Sequence, residues 1–224
     1  MEAAREAVVD AVSRFKEALE AGGREVGERA REILPDRGRI VTISHSSTVQ
    51  SALSGLGSGE AEVVCLESRP LSEGRRLARE LAREAIPVLY AVDAAAWSLT
   101  AGASGVLVGA DSLGDRGVVN KVGSRSLVEA GRSEGVPTYA LADRTKLLPP
   151  GLPQHTDDDR PEDEVWSSPP GVRVHNRYFE AVPLELFEAV ITEEGIRSPD
   201  EIEDARREIP VPEELRRWAA SRAG

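Results

Sequence analysis

Val106-Leu107-Val108-Gly109-Ala110-Asp111 is a short, unbroken apolar run that ends on an acid. A run this brief, closed by glycine, reads as a strand buried on both faces rather than as a helix turn. Ten residues beyond Asp111, in Asn120-Lys121-Val122-Gly123-Ser124, a lysine and two small residues precede a helical pattern. A carboxylate at a strand end, followed by a cation and a helix N-terminus, is how an open parallel sheet holds an anionic ligand outside its carboxyl edge.

Outward from that strand the pattern alternates. Strands are expected at residues 39–43, 62–66, 87–92, 105–109 and 138–141, from runs of Val, Ile, Leu and Ala. Helices are expected from Ser47-Thr48 to near Gly55-Leu56-Gly57, from Ser72 to about Ala85, through Trp97 and Leu99, and from about Val122 to Ser133. Gly114 and Gly117 bracket a turn. Five strand-then-helix units at about 25-residue spacing predict an α/β, Rossmann-like parallel sheet with helices on both faces. Ahead of them, Val8, Val12, Phe15, Leu19, Val26, Ala30 and Ile33 make one helical stripe, with Gly22-Gly23 a candidate break and Pro35 a stop. The division is thus a helical segment over 1–35 and a Rossmann-like domain over 36–224. Residues 143–170 read as a proline-rich, polar excursion, a surface loop or a lid, with Trp166 its one large apolar anchor. Beyond it, 186–191 fits helix or strand and 211–223 a terminal helix.

Composition narrows the function. The net charge of −11 leaves no clustered cations for a nucleic-acid partner. No apolar run reaches the ~18 residues of a membrane span, and the charged start Met1-Glu2-Ala3-Ala4-Arg5-Glu6 is unlike a secretory leader. Cys65 is the one cysteine, which fits a reducing, cytoplasmic setting and a core thiol. His155 and His175 lack ligand spacing, so no metal and no cofactor are expected.

The candidate residues sit at strand ends. Asp111 reads as a general acid or base or a hydroxyl ligand, and equally as a cap for the next turn. Lys121 adds a point charge at the expected helix N-terminus. Ser44-His45-Ser46-Ser47-Thr48 offers hydroxyls and N–H groups to a phosphate or sugar, or simply an N-cap, with His45 the more structural of the set; it is neither a Walker A loop nor G-x-G-x-x-G. Arg69 in Glu67-Ser68-Arg69-Pro70 suits a phosphate or a brace to Glu67, and Asp93 repeats the geometry one strand later.

In order along the chain, Ser44-His45-Ser46-Ser47-Thr48, Glu67-Ser68-Arg69-Pro70 with Glu73-Gly74-Arg75, Val108-Gly109-Ala110-Asp111, Asn120-Lys121-Val122-Gly123-Ser124, Asn176-Arg177-Tyr178-Phe179-Glu180 and Ile191-Thr192-Glu193-Glu194-Gly195 resemble the initiation factor 2B alpha/beta/delta family, which includes ribose-1,5-bisphosphate isomerase and methylthioribose-1-phosphate isomerase. The resemblance implies a dimerising Rossmann-like domain behind a helical N-terminal domain, here shortened to one segment. It implies a phosphorylated small-molecule ligand, with Asp111 as acid/base, and Asn120 and Lys121 holding a sugar beside Ser44, His45, Ser47 and Arg69. The family's catalytic cysteine position is Ser46. A thiol titrates at about 8.5, whereas a serine hydroxyl is far too weak an acid to replace it unaided. The expectation is therefore a homodimer whose crevice binds a phosphorylated sugar or nucleotide with isomerisation weakened or lost. The alternatives are an active aldose–ketose isomerase, an intramolecular oxidoreductase using Asp111, and a structural subunit of a translation-factor-like complex.

Overall fold

A computed structural model describes residues 2–56, 60–156 and 159–221, with the side chains of 2–4 left aside. Gly57, Asp157, Asp158 and the last two residues of the expected terminal helix, Arg222 and Ala223, lie outside the described residues.

The chain begins with α1 (Glu2–Arg31), one helix that runs unbroken through Gly22 and Gly23. It continues through β1 (Arg37–Ile43), α2 (Ser47–Leu53), β2 (Glu60–Leu66), α3 (Gly74–Arg83), β3 (Val88–Ala91), α4 (Ala96–Thr100) and β4 (Gly105–Gly109). Next come β5 (Ser112–Gly114), β6 (Gly117–Lys121), α5 (Ser124–Ser133) and β7 (Thr138–Leu141). After a long loop follow β8 (Phe179–Val182), β9 (Ala189–Thr192), β10 (Gly195–Arg197), α6 (Pro199–Glu208) and α7 (Glu213–Ala220).

Seven strands form the main sheet in the order β10-β9-β7-β4-β1-β2-β3. All pair in parallel except β10, which returns antiparallel to β9. Both faces are covered, which is why the strands are continuously apolar. Successive residues feed opposite cores. Ile40, Val63, Cys65 and Leu107 pack with Val26 and Ala30 of α1, Val49 and Leu53 of α2, and Leu77 and Leu81 of α3. Val41, Val64, Val106 and Val108 pack with Leu127 and Val128 of α5 and Ile202 of α6. Each such Val, Leu or Ile side chain contributes about 1.5–3 kcal/mol on burial. Cys65 is fully buried in this core, and burial pushes its thiol up to about 12.

Several local expectations are corrected. The α1 stripe is not all core: Val26 and Ala30 are buried, but Val8, Val12 and Phe15 are 63%, 62% and 59% exposed, and residues 5–18 are exposed all round. Periodicity reports amphipathicity, not what lies opposite. The turn expected between Gly114 and Gly117 is there, at Asp115-Arg116, but it closes an unexpected hairpin of β5 and β6; β8 then adds to make a second, three-stranded antiparallel sheet. The helix expected from Val122 begins at Ser124, after Gly123. Trp166 is 55% exposed rather than a buried anchor. The excursion is tied down by polar bonds instead: buried Asn176 donates to the Pro161 carbonyl at 2.7 Å and to Glu164 at 2.8 Å. Residues 186–191 are split between a 3-10 turn, Leu184–Leu186, and β9. Helix α6 is an addition to the expected elements, and Ser198-Pro199-Asp200-Glu201 carries its start: Ser198 Oγ accepts from Glu201 N–H, Glu201 Oε2 accepts from Ser198 N–H, and Pro199 opens the first turn.

Candidate functional site

The strand order runs outward from β1 to β3 on one side and from β4 to β9 on the other, so it reverses between β1 and β4. Chains leaving the carboxyl ends of β1 and β4 diverge to opposite faces and leave a crevice between them. A cleft of ≈ 650 Å³ lies there. It is lined by His45, Ser46, Ser47, Thr48 and Ser51 behind β1, by Ala110 and Asp111 behind β4, by Asn120, and by Asp143 and Lys146 behind β7. Arg76 of α3 contributes, and Leu19, Glu20, Gly23 and Arg24 of α1 form the remaining wall.

Local chemistry explains each position. Ser46 is the N-cap of α2, its Oγ accepting from Val49 N–H at 3.4 Å. Gly109 lets β4 pass directly beside it: a Cβ there would lie 2.6 Å from Ser46 Oγ and 2.7 Å from Ser46 Cβ. Asp111 N–H donates to the Val119 carbonyl at 2.8 Å, so the β5–β6 hairpin folds Asn120 and Lys121 back to the acid from which the chain departed. Asn120 donates to Ser124 Oγ at 2.9 Å, and Ser124 Oγ donates to the Lys121 carbonyl at 2.6 Å.

Lys121 ends a strand rather than opening a helix. Its side chain is 5% exposed, and Nζ lies 2.7 Å from Glu73 Oε2 and 4.8 and 5.0 Å from the ring centres of Phe179 and Tyr178. Nor does the N-terminus of α5 face an open anion site. Glu180 Oε1 accepts from Gly123 N–H at 2.7 Å and Arg125 N–H at 2.9 Å, so a protein carboxylate already holds the donors a phosphate would need.

Asp111 is exposed as a residue, but desolvation of its carboxyl by the surrounding cleft pushes it above the usual carboxylate range; the charges of Lys146 and Lys121 oppose this and that of Glu73 adds to it. Ser44 is buried, sits at φ 68° and donates to Glu73 at 3.3 Å. Ser68, behind β2, has φ 64°. Non-glycine residues in that left-handed region are uncommon, and they gather at functional strand ends where surrounding bonds hold them. His45 Nε2 lies 2.9 Å from Glu80 Oε2, and the other carboxylate oxygen of Glu80, Oε1, accepts from Arg76 Nε at 3.0 Å.

Of the residues singled out in the sequence, the fold brings His45, Ser46, Ser47, Asp111 and Asn120 to one cleft, with Ser44 and Lys121 packed behind it through Glu73. Arg69 stands apart. It is exposed, its guanidinium reaches the Val165 carbonyl at 3.4 Å rather than Glu67, and it does not line the cleft. Asp93 serves the loop behind β2, accepting from the N–H groups of Ser68 at 2.7 Å and Arg69 at 2.8 Å. The cleft also takes in Arg24, Arg76, Asp143 and Lys146, which the sequence does not single out, while Glu73 stands behind it. Asp143 and Lys146 follow the end of β7 and were reachable by the strand-end rule applied to Asp111. Arg24 on a charged helix carried no local signal.

The sequence model of the Initiation factor 2 subunit family matches residues 1–199. A Haloferax volcanii protein named ribose 1,5-bisphosphate isomerase is 30% identical over 219 residues, covering 93% of this chain and 68% of its own length. A Desulforudis audaxviator protein named methylthioribose-1-phosphate isomerase is 32% identical, covering 90% of this chain and 64% of its own. Among solved structures, translation initiation factor eIF-2B of Pyrococcus horikoshii superposes with a TM-score of 0.73 at 30% identity, over 83% of this chain and 67% of that one. With a family model that covers residues 1–199 and relatives about 30% identical over most of the chain, the chain belongs to the initiation factor 2 subunit family, two of whose similar members are named as sugar-phosphate isomerases.

Proposed function

We propose that the β1/β4 cleft binds a phosphorylated sugar or nucleotide and that isomerisation in it is weakened or absent. One observation carries the reading: an acid, an amide and several cations from distant stretches of chain converge on a single crevice at the switch point of the sheet. Arg24, Arg76 and Lys146 supply positive charge on three of its sides in a chain whose net charge is −11. Such cations pair with phosphate oxygens, and Asp111 and Asn120 suit sugar hydroxyls. The names of the two relatives, both acting on sugar phosphates, support the same ligand class. Ser46 argues for binding over turnover: its hydroxyl caps α2, and among the described residues no base is bonded to it that would make it a proton carrier at neutral pH. In this reading the protein is a homodimer, which sedimentation velocity tests.

Titration calorimetry with ribose 5-phosphate, ribose 1,5-bisphosphate and AMP tests the ligand. Micromolar to millimolar affinity for one of them is expected, and no heat from any of them on folded protein removes the proposal. The active-isomerase reading is favoured by one feature, the Asp111 carboxyl at the cleft, which desolvation holds above the usual carboxylate range. It requires solvent deuterium to appear in a ribose phosphate by NMR, and to stop appearing with Asp111→Asn. Absence of exchange in the unmodified protein, with exchange restored by Ser46→Cys, supports the binding reading.

A further inference from the structure

Glu73 is the N-cap residue of α3, yet its side chain makes no hydrogen bond to its own helix. An N-cap carboxylate ordinarily accepts from the N–H groups of the first turn. This one turns to the carboxyl edge of the sheet, where its Oε2 meets donors from three other elements: Lys121 Nζ at 2.7 Å from β6, Ser44 Oγ at 3.3 Å behind β1, and Ser68 Oγ at 3.5 Å behind β2. Gly74 makes the approach possible, because a Cβ there would lie 2.0 Å from the Leu66 carbonyl oxygen.

We propose that Glu73 is a positioning residue of the cleft: its carboxylate fixes the Lys121 ammonium and the two left-handed serine turns, and thereby sets the charge that Asp111 experiences. The inference rests on the reading that Asp111 and Lys121 serve the ligand. An enclosed ammonium needs a partner carboxylate to offset the loss of its hydration, and Glu73 Oε2 supplies it to Lys121 at 2.7 Å. The aromatic faces of Tyr178 and Phe179 add attraction but no fixed direction. Ser44 and Ser68 hold strained backbone whose hydroxyls meet on the same oxygen. One carboxylate therefore joins the ends of β1, β2 and β6.

Three groups act electrostatically on Asp111: Lys121 from β6, Lys146 behind β7, and Glu73. Around the same cleft lie Asp143 behind β7, Arg76 of α3, and Glu20 and Arg24 of α1. Replacing Glu73 by glutamine removes a negative neighbour and leaves Lys121 unneutralised, and both changes favour the ionised Asp111. A purely structural Glu73 would change the melting temperature and leave this titration alone.

The test is a ¹³C NMR titration of the Asp111 carboxyl in the unmodified protein, Glu73→Gln and Glu73→Asp, with thermal melts to confirm folding. The Asp111 midpoint is expected to move to lower pH in Glu73→Gln, with Glu73→Asp between the two. Superimposable titration curves in folded variants overturn the proposal. Should Glu73→Gln fail to fold, Glu73→Asp decides it, since a lowered melt with an unmoved midpoint is the structural result. Calorimetry with ribose 5-phosphate is run separately. An absent heat there counts against the ligand reading, while the carboxyl titration still decides the role of Glu73.

Discussion

Gly109→Ala tests the joint between β4 and α2 on which the cleft is built. The new Cβ would fall 2.6 Å from Ser46 Oγ and 2.7 Å from Ser46 Cβ. Ordinary contact begins near about 3.4 Å, so Ser46 must retreat by roughly 0.7 Å. Gly109 and its β4 neighbours are fully buried, and well-packed cores resist such movement. Overpacking of this kind costs about 1–3 kcal/mol. Loss of the Ser46 cap, a bond already 3.4 Å long, adds about 0.5 kcal/mol. Reduced freedom of the unfolded chain returns about 0.4–1 kcal/mol. The net expectation is a destabilisation of about 2 kcal/mol, read in urea as a midpoint lowered by roughly 0.7–1 M at an m-value of about 2–3 kcal/mol/M. Gly105 provides an internal control on the same strand, because a Cβ there meets only the Pro137 carbonyl oxygen at 3.9 Å; Gly105→Ala should stay within about 0.5 kcal/mol of the parent. Ser46→Gly added to Gly109→Ala removes both clashing atoms while glycine still serves as an N-cap at a loss of a few tenths. That double variant should recover most of the loss. Equal midpoints for Gly109→Ala and Gly105→Ala, or no recovery in the double variant, would refute the packing argument.

Asp111→Asn should raise stability at neutral pH while abolishing any deuterium exchange. Because burial holds the folded carboxyl above its ordinary 3.8, this group adds stability below that value and withdraws it as pH rises through the folded value. The gap between variant and parent should therefore widen with rising pH in urea melts, and a gap independent of pH refutes the assignment. Arg206→Leu should cost about 2 kcal/mol, because it strands the Leu148 carbonyl that accepts from Arg206 Nε at 2.8 Å. Its other partners, Asp115 and Glu203, have side chains 50% and 35% exposed and can return to water, which keeps the figure modest. Burial raises Asp115 somewhat, but the Gly151 N–H and Arg206 outweigh it and hold the carboxyl low, so its contribution to stability is lost as pH falls below its ordinary 3.8. Cys65 should stay silent to a thiol reagent at pH 8 until the chain unfolds, since burial holds the thiol at about 12; fast reaction of native protein contradicts the core assignment.

How much was legible follows from the range of each signal. The β4 run, Val106-Leu107-Val108, was readable because a strand covered on both faces must be continuously apolar, a requirement written into adjacent residues. The hairpin between Asp111 and Lys121 was hidden, because Ser112-Leu113-Gly114 is too short to show a period. That omission put Lys121 at a helix start instead of a strand end. Helix α6 is legible through its Ser198/Glu201 capping box, a signal confined to four adjacent residues. Arg69 and Glu73 belong to one motif, yet only Glu73 turns inward. Their side-chain directions depend on how α3 docks against Leu66, and no spacing rule encodes that.

Taken alone, the order of residues determined the parallel α/β class, the family and the presence of Asp111 behind a buried strand, since all of these depend on local periodicity and motif order. Which charged groups share a crevice was decided only in three dimensions. The reversal of strand order between β1 and β4 brings residues 24, 46, 111 and 146 to one cleft, and the β5–β6 hairpin turns Lys121 onto Glu73. Electrostatic energy depends on distance through space and on burial, and neither is a property of position along the chain.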